Sequence, residues 1–357
     1  MMRKNRGRRA PAALLILAGV ASSGGASAAP PSIAECAAIA GDGDRLACYD
    51  RAAGRTMGQD LAPAGVAPRP AVPRASATPT PPAPEPAASA TTASLLGAAW
   101  GLDPGSDPYK ISLYHPNYLL FARWSSDPNN RPFTPIFDAA GVPDQQLDAT
   151  EVKFQLSFKA RLWTTDDRRW SAWAAYTQQN QWQVYNDSIS RRFRETNYMP
   201  ELFAVYRPDV DLGDFRWRVL SVGYTHQSNG RADPISRSWD RLFVEAGVER
   251  DNFALLARAW YRIPESDSKD DNPDITDFMG YGQLTAFYRW REHSFVAKVR
   301  GNIATGKGSG ELTWTTPRLL GPLRGYLQVF SGYGESLIDY NWNQTTIGIG
   351  VALNDDL

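Results

Sequence analysis

The sequence predicts an all-β protein: an antiparallel transmembrane β-barrel of about 12 strands, preceded by a small helical, disulfide-stapled segment and a Pro/Ala-rich linker. Three observations predict it. Apolar and polar residues alternate with period two through most of the chain beyond residue 96. The first residues read as an export signal. The aromatic load is heavy, with 12 Trp, 15 Tyr and 14 Phe, and it gathers towards strand ends as a membrane-interface girdle requires.

Residues 1–29 open with the basic "MMRKNRGRRA", continue with the apolar "PAALLILAGVA" and reach "ASA" at Ala26–Ala28, which suits a signal peptidase. The apolar run is too short for a membrane helix, and no other stretch approaches the roughly 18 apolar residues that a spanning helix needs. Residues 30–58 place Ala, Ile and Leu at helical spacing on both sides of "GDGD", which predicts a helical hairpin. Cys36 and Cys48 are the chain's two cysteines, and in an oxidising compartment they are expected to pair. Residues 59–95, as in "APRPAVPRASATPTPPAPEPAA", cannot bury a core and read as a polyproline-like linker.

The rest, 96–357, reads as the barrel. In "EVKFQLSFKARLW", Val152, Phe154, Leu156 and Phe158 share one face, and Lys153, Gln155, Ser157 and Lys159 the other. "RLFVEAGVE" sets Leu242, Val244, Ala246 and Val248 against Arg241, Glu245 and Glu249. "TTIGIGVALN" sets Ile347, Ile349, Val351 and Leu353 against Gly348, Gly350 and Ala352. A soluble sandwich also alternates; the export signal and the aromatic content favour the membrane barrel. The negative mean hydropathy is compatible with it, because alternating strands hide their lipid face in an average. Lys+Arg 38 against Asp+Glu 38 gives no reason to expect nucleic acid as a partner.

One stretch carries chemistry: "HQSNGRADPISRSWD", 226–240. Strand parity puts His226 and Ser228 on the face of Leu220, Val222 and Tyr224, and Asp240 on the face of Leu242 and Val244. The connection 229–239 holds the turn signals "NG" and "DP". Antiparallel pairing across it is expected to set Ser228 near Asp240 and His226 near Leu242. All three side chains then meet on one surface, which in a barrel faces lipid, where polar groups are costly and usually functional. The combination suits ester hydrolysis, with Ser228 attacking, His226 taking its proton and Asp240 holding the imidazole. The plain alternative is that these are surface residues, with Asp240 ending a turn or pairing with Arg237 or Arg241; no G-x-S-x-G elbow is present.

At these residues the chain resembles the outer-membrane phospholipase A family. "GYTHQSNGRADPISRSWDRL" matches its active-site signature. Further matching blocks are "FRETNYMPELF" (193–203), "DDNPDITDFMGY" (270–281) and "SGYGESLIDYNWNQTTIGIGVALND" (331–355). The likeness covers about residues 105–357. It implies a 12-stranded barrel in the bacterial outer membrane, its N-terminal segment in the periplasm. It implies hydrolysis of sn-1 and sn-2 esters of glycerophospholipids and lysophospholipids, Ca2+ dependence and activation by homodimerisation. It carries over Ser228 as nucleophile, His226 as base and the Gly230 N–H in the oxyanion site. The third position is usually Asn in the family and is Asp240 here. Calcium ligands implied between subunits are the Ser236 hydroxyl, the Arg231 carbonyl and the Ser190 carbonyl of the second copy. Asp233 and Asp271 are implied in a further calcium site of the uncomplexed form, and Gln178 in the dimer interface. A non-catalytic barrel, such as a small pore, a structural protein or an inactive relative, is the rival expectation.

Overall fold

The computed structural model describes residues 31–53, 94–142, 145–189, 193–266, 268–355 and 357. The expected signal segment and nearly all of the expected linker lie outside the described residues. The chain divides into two units, Met1–Ala83 and Pro84–Leu357.

In the first unit, α1 (Ile33–Ala37) and α2 (Asp42–Ala52) form a hairpin. Ser32 and Glu35 make a capping box that starts α1. Cys36 and Cys48 are both buried and joined by a disulfide, with Cα atoms 5.4 Å apart. So short a segment has little apolar surface to bury, and the crosslink lowers the entropy of its unfolded chain.

The second unit begins with α3 (Leu95–Trp100), where period-two alternation was expected to start. "SLLGAAWG" is a complete helical signal. Ser94 caps it by accepting from the Gly97 N–H at 2.7 Å, and Gly101 ends it at φ +59°. The strands follow: β1 (Ile111–Leu113), β2 (Tyr118–Ser125), β3 (Thr150–Thr164), β4 (Trp170–Trp182), β5 (Phe193–Tyr206), β6 (Val210–Leu212), β7 (Phe215–Ser228), β8 (Ser238–Arg250), β9 (Phe253–Ile263), β10 (Gly282–Trp290), β11 (His293–Asn302), β12 (Lys307–Leu320), β13 (Leu323–Tyr333) and β14 (Asn343–Ala352). Two short helices, α4 (Thr134–Ala139) and α5 (Ile275–Met279), lie in connections. Each strand of the ring pairs antiparallel with its chain neighbour, β14 pairs with β2, and the ring is a closed 12-strand barrel. The three-residue β1 and β6 only extend β3 and β7.

The barrel is inside-out relative to a water-soluble protein. On β3, Lys153 is 1% and Lys159 3% exposed, whereas Leu156 is 54% and Phe158 47% exposed. In water that would waste apolar burial and bury charge. In hydrocarbon it is the stable arrangement, since a closed barrel leaves no unpaired edge and presents its apolar face to lipid.

One end carries tight turns, such as 251–252, 291–292 and 321–322; the other carries long connections, among them 229–237, 264–281 and 334–342. The lumen is filled at both ends. Leu95, Leu96 and Trp100 of α3 are buried inside it. Glu249 near the end of β8 pins the start of α3 through Ser94 Oγ at 2.5 Å and the Leu96 N–H at 2.8 Å. Arg161 donates to the carbonyls of Trp100 and Gly101 at its other end. At the long-loop end, 334–342 dips inward. Arg123 pairs with Glu151 at 3.0 Å and with Glu335, Lys153 with Glu335 at 3.0 Å, and Arg194 with Glu151 and Asp339 at 2.9 and 3.1 Å. These ionic side chains are all but fully buried, and each charge has an opposite partner.

Candidate active site

The site sits where β7 and β8 reach the long-loop end. Their register pairs His226 with Asp240, Tyr224 with Leu242 and Ser228 with Ser238. This corrects the sequence expectation, which set Ser228 near Asp240 and His226 near Leu242. The register is shifted by two residues on β8, so the connection shortens to 229–237, and Asn229 stitches the mouth of that loop. Its N–H donates to the Arg237 carbonyl at 3.0 Å and its side-chain oxygen accepts from the N–H groups of Arg231 and Arg237. Its amide donates to the Ile235 carbonyl at 2.8 Å.

His226 and Asp240 are thus direct cross-strand neighbours. Nδ1 of His226 lies 2.7 Å from Oδ1 of Asp240. Both side chains are half-buried and project from the outer face, which they share with the exposed Val222, Tyr224, Leu242 and Val244. The same Asp240 oxygen accepts from the Tyr224 hydroxyl at 2.6 Å. Ser228 follows His226 on that face, about 7 Å further along the strand. Ser228 Oγ makes no hydrogen bond to the ring among the described residues; such bonds commonly tighten only when substrate is bound.

Gly230 has φ +62°, a left-handed conformation that a side chain disfavours, and a Cβ there would stand 3.0 Å from the Tyr198 ring. The loop is backed by the β9–β10 connection: Ser236 Oγ donates to Asp271 at 2.5 Å and the Ser238 N–H to Asn272 at 3.0 Å. Asp233 is exposed and Asp271 half-buried. No group of three or more His, Cys, Asp or Glu side chains suited to a metal ion occurs among the described residues. Arg231 lies in the 229–237 loop, and Ser190 lies outside the described residues.

Gln178 is on the outer face. It pairs across the sheet with the exposed Leu156 on one side and Tyr198 on the other, and Tyr198 in turn pairs with Ser228. One cross-strand row therefore runs Leu156, Gln178, Tyr198, Ser228, Ser238. Gln178 therefore does not face the lumen.

Sequence reasoning missed Tyr224 and Asn229 as members of the site. Parity placed Tyr224 on the right face, but only the register shows that its hydroxyl reaches Asp240. The "NG" pair marked a turn without showing that the Asn side chain would close it.

The model of the family described as Phospholipase A1 matches residues 102–353. The chain belongs to the phospholipase A1 family. Phospholipase A1 of Escherichia coli K12 is 41% identical over 255 residues, covering 71% of this chain and 85% of that one. The Klebsiella pneumoniae enzyme is 41% identical over 256 residues, covering 71% and 86%. Among solved structures, outer membrane phospholipase A from Escherichia coli aligns with a TM-score of 0.63 at 40% identity, over 69% of this chain and 95% of that one. The Salmonella typhi outer membrane phospholipase, solved as a dimer with bound calcium, aligns with a TM-score of 0.65 at 38% identity, over 74% and 100%. This phospholipase A1 family member is accordingly an outer-membrane β-barrel that hydrolyses phospholipid esters.

Proposed function

We propose that the chain is a calcium-dependent phospholipase A that cleaves sn-1 and sn-2 esters of glycerophospholipids, and lysophospholipids, through Ser228, His226 and Asp240, and that it is active as a homodimer. The observation that carries this reading is the 2.7 Å contact between His226 Nδ1 and Asp240 on a lipid-facing surface, with Ser228 next along that face. With Nδ1–H donated to Asp240, the Nε2 lone pair is left to take the Ser228 proton. Ser228 Oγ attacks the ester carbonyl, the imidazolium returns the proton to the departing alcohol, and water then releases the fatty acid from the acylated serine by the same base. Because the site opens sideways into the bilayer, the substrate reaches it without leaving lipid. The Gly230 N–H is the protein's donor to the oxyanion.

The residues present fit calcium. The Ser236 hydroxyl, held on the Asp271 carboxylate, and the Arg231 carbonyl offer the oxygen donors that a hard cation selects. The Ser190 carbonyl of a second copy would complete the set, and Asp233 with Asp271 would serve the uncomplexed form. Bound there, calcium supplies positive charge for the developing oxyanion. Gln178, on the outer face beside Leu156 and Tyr198 and held there by the Tyr176 hydroxyl and Asn180 at 3.0 Å each, would meet the second copy. The short-turn end, where residue 94 enters the lumen, faces the periplasm in this reading, as short turns do in such barrels.

Fatty-acid release from phospholipid vesicles tests the proposal. Chelation should lower the rate by about two orders of magnitude, with recovery on adding calcium. Ser236→Ala should raise the calcium concentration needed for half-maximal rate. Full activity in chelator would remove calcium from the mechanism, and absence of any release would favour the non-catalytic barrel. Asp240→Asn should keep most of the activity, because an amide oxygen can still accept from Nδ1–H. A loss as deep as that of Ser228→Ala would show that the carboxylate charge is indispensable.

A further inference from the structure

We propose that Tyr224 is a positioning residue for the hydrolytic site, acting through Asp240: its hydroxyl shares the carboxylate oxygen that orients His226. The inference rests on the reading of Ser228, His226 and Asp240 as the catalytic set, and deepens it.

An acid on this face is costly. Asp240 projects from the outer face of the barrel beside Leu242 and Val244. A carboxylate there has few water molecules to solvate it, and one hydrogen bond from an imidazole leaves most of its acceptor capacity unmet. Tyr224 pairs with Leu242, one step along the same face from the His226–Asp240 pair. A tyrosine on the outside of a barrel ordinarily turns its hydroxyl to the headgroups. This one instead donates to Asp240 Oδ1 at 2.6 Å, the atom that lies 2.7 Å from His226 Nδ1. Two donors converging on one oxygen hold the carboxyl in a single rotamer. They also offset the charge that an asparagine at this position would not bring.

No other hydrogen-bond donor reaches Asp240 among the described residues. Across the next strand Asp240 meets Ile263, which is apolar. Its sequence neighbour Arg241 turns to the other face and donates to Gln227 at 3.1 Å. Among the described residues, Tyr224 is therefore the one side chain besides the imidazole that hydrogen-bonds the acid.

The test is Tyr224→Phe in the full-length protein, which keeps the ring and deletes only the donor. Heat-modifiable gel mobility verifies that the barrel is folded. The expected result is a fall in kcat of about tenfold with KM unchanged, the size of one hydrogen bond to a charged group. In an Asp240→Ala background the same substitution should change kcat by less than about twofold, since there is no acid left to position. Unchanged kcat, a loss confined to KM, or an equal loss in the Asp240→Ala background would each overturn the role; the last two would make Tyr224 a substrate contact. Ser228→Ala run alongside separates the two levels. An active Ser228→Ala protein sinks the catalytic set itself, whereas an inactive one beside a fully active Tyr224→Phe protein sinks only the role given to Tyr224.

Discussion

Ser228→Ala should abolish fatty-acid release while leaving a folded barrel. The expected loss is at least about three orders of magnitude in kcat, because removing the nucleophile of such a set disables the proton relay as well. The substitution deletes one hydroxyl from a half-buried position at the end of β7, in the row that runs through Tyr198 and Ser238. That oxygen makes no hydrogen bond among the described residues, so its loss should not weaken the ladder. Heat-modifiable mobility and resistance to denaturant should match the parent protein. A sulfonyl fluoride should label the parent at Ser228 and leave the variant unlabelled. Hydrolysis surviving in the folded variant would mean that the ester is attacked by another group, and the reading of the His226–Asp240 contact would fall with it.

The second large effect concerns stability. Arg123→Ala should destabilise the barrel by about 3–5 kcal/mol, measured by chemical unfolding in detergent or vesicles. Arg123 bridges Glu151 at 3.0 Å and Glu335 inside the lumen, and deleting it takes one of two cationic partners from each buried carboxylate, leaving Arg194 alone on Glu151 and Lys153 alone on Glu335. Burial by itself would raise the Glu335 carboxyl, but Arg123 and Lys153 overcome that and hold it well below the usual carboxylate range. A depressed carboxyl contributes stability above its unfolded value and loses it as pH falls towards the folded one. The parent barrel should therefore weaken below about pH 4, the ordinary glutamate range. Arg250→Ala is the contrast. Its pair with Asp214 spans 2.9 Å but is exposed at the short-turn end, so the change should stay within about 0.5 kcal/mol. Equal effects of the two substitutions would show that the lumen is solvated well enough to screen its charges.

The functional segment illustrates how far a chain can be read before it is seen folded. Parity alone placed His226, Ser228 and Asp240 on one face, and that placement holds, because a strand cannot turn one side chain without turning all of them. The register did not follow from parity. It depends on how the 229–237 loop closes, and the closure is made by the Asn229 side chain, whose bonds within the loop reach Ile235 and Arg237, six and eight residues away. The short helix α3 was overlooked for a different reason. Its apolar run is brief enough to pass for the first residues of a strand, and its burial comes from β7, β8 and β9 around it rather than from its own pattern.

What the sequence determined by itself is the alternation that makes a barrel, the face on which each strand residue lies, the paired cysteines and the polar triplet on a lipid-facing edge. These are local properties, set by the two-residue repeat of extended backbone and by residue type. What only the tertiary structure decided is which residues stand opposite one another. His226 meets Asp240, Tyr224 reaches the same oxygen, Gln178 shares a row with Ser228, and Arg123 joins Glu151 to Glu335 across the lumen. Those contacts join residues from 14 to 212 positions apart, such as His226 with Asp240 and Arg123 with Glu335. They are fixed by loop closure and by the closing of the ring, and neither leaves a periodic trace in the chain.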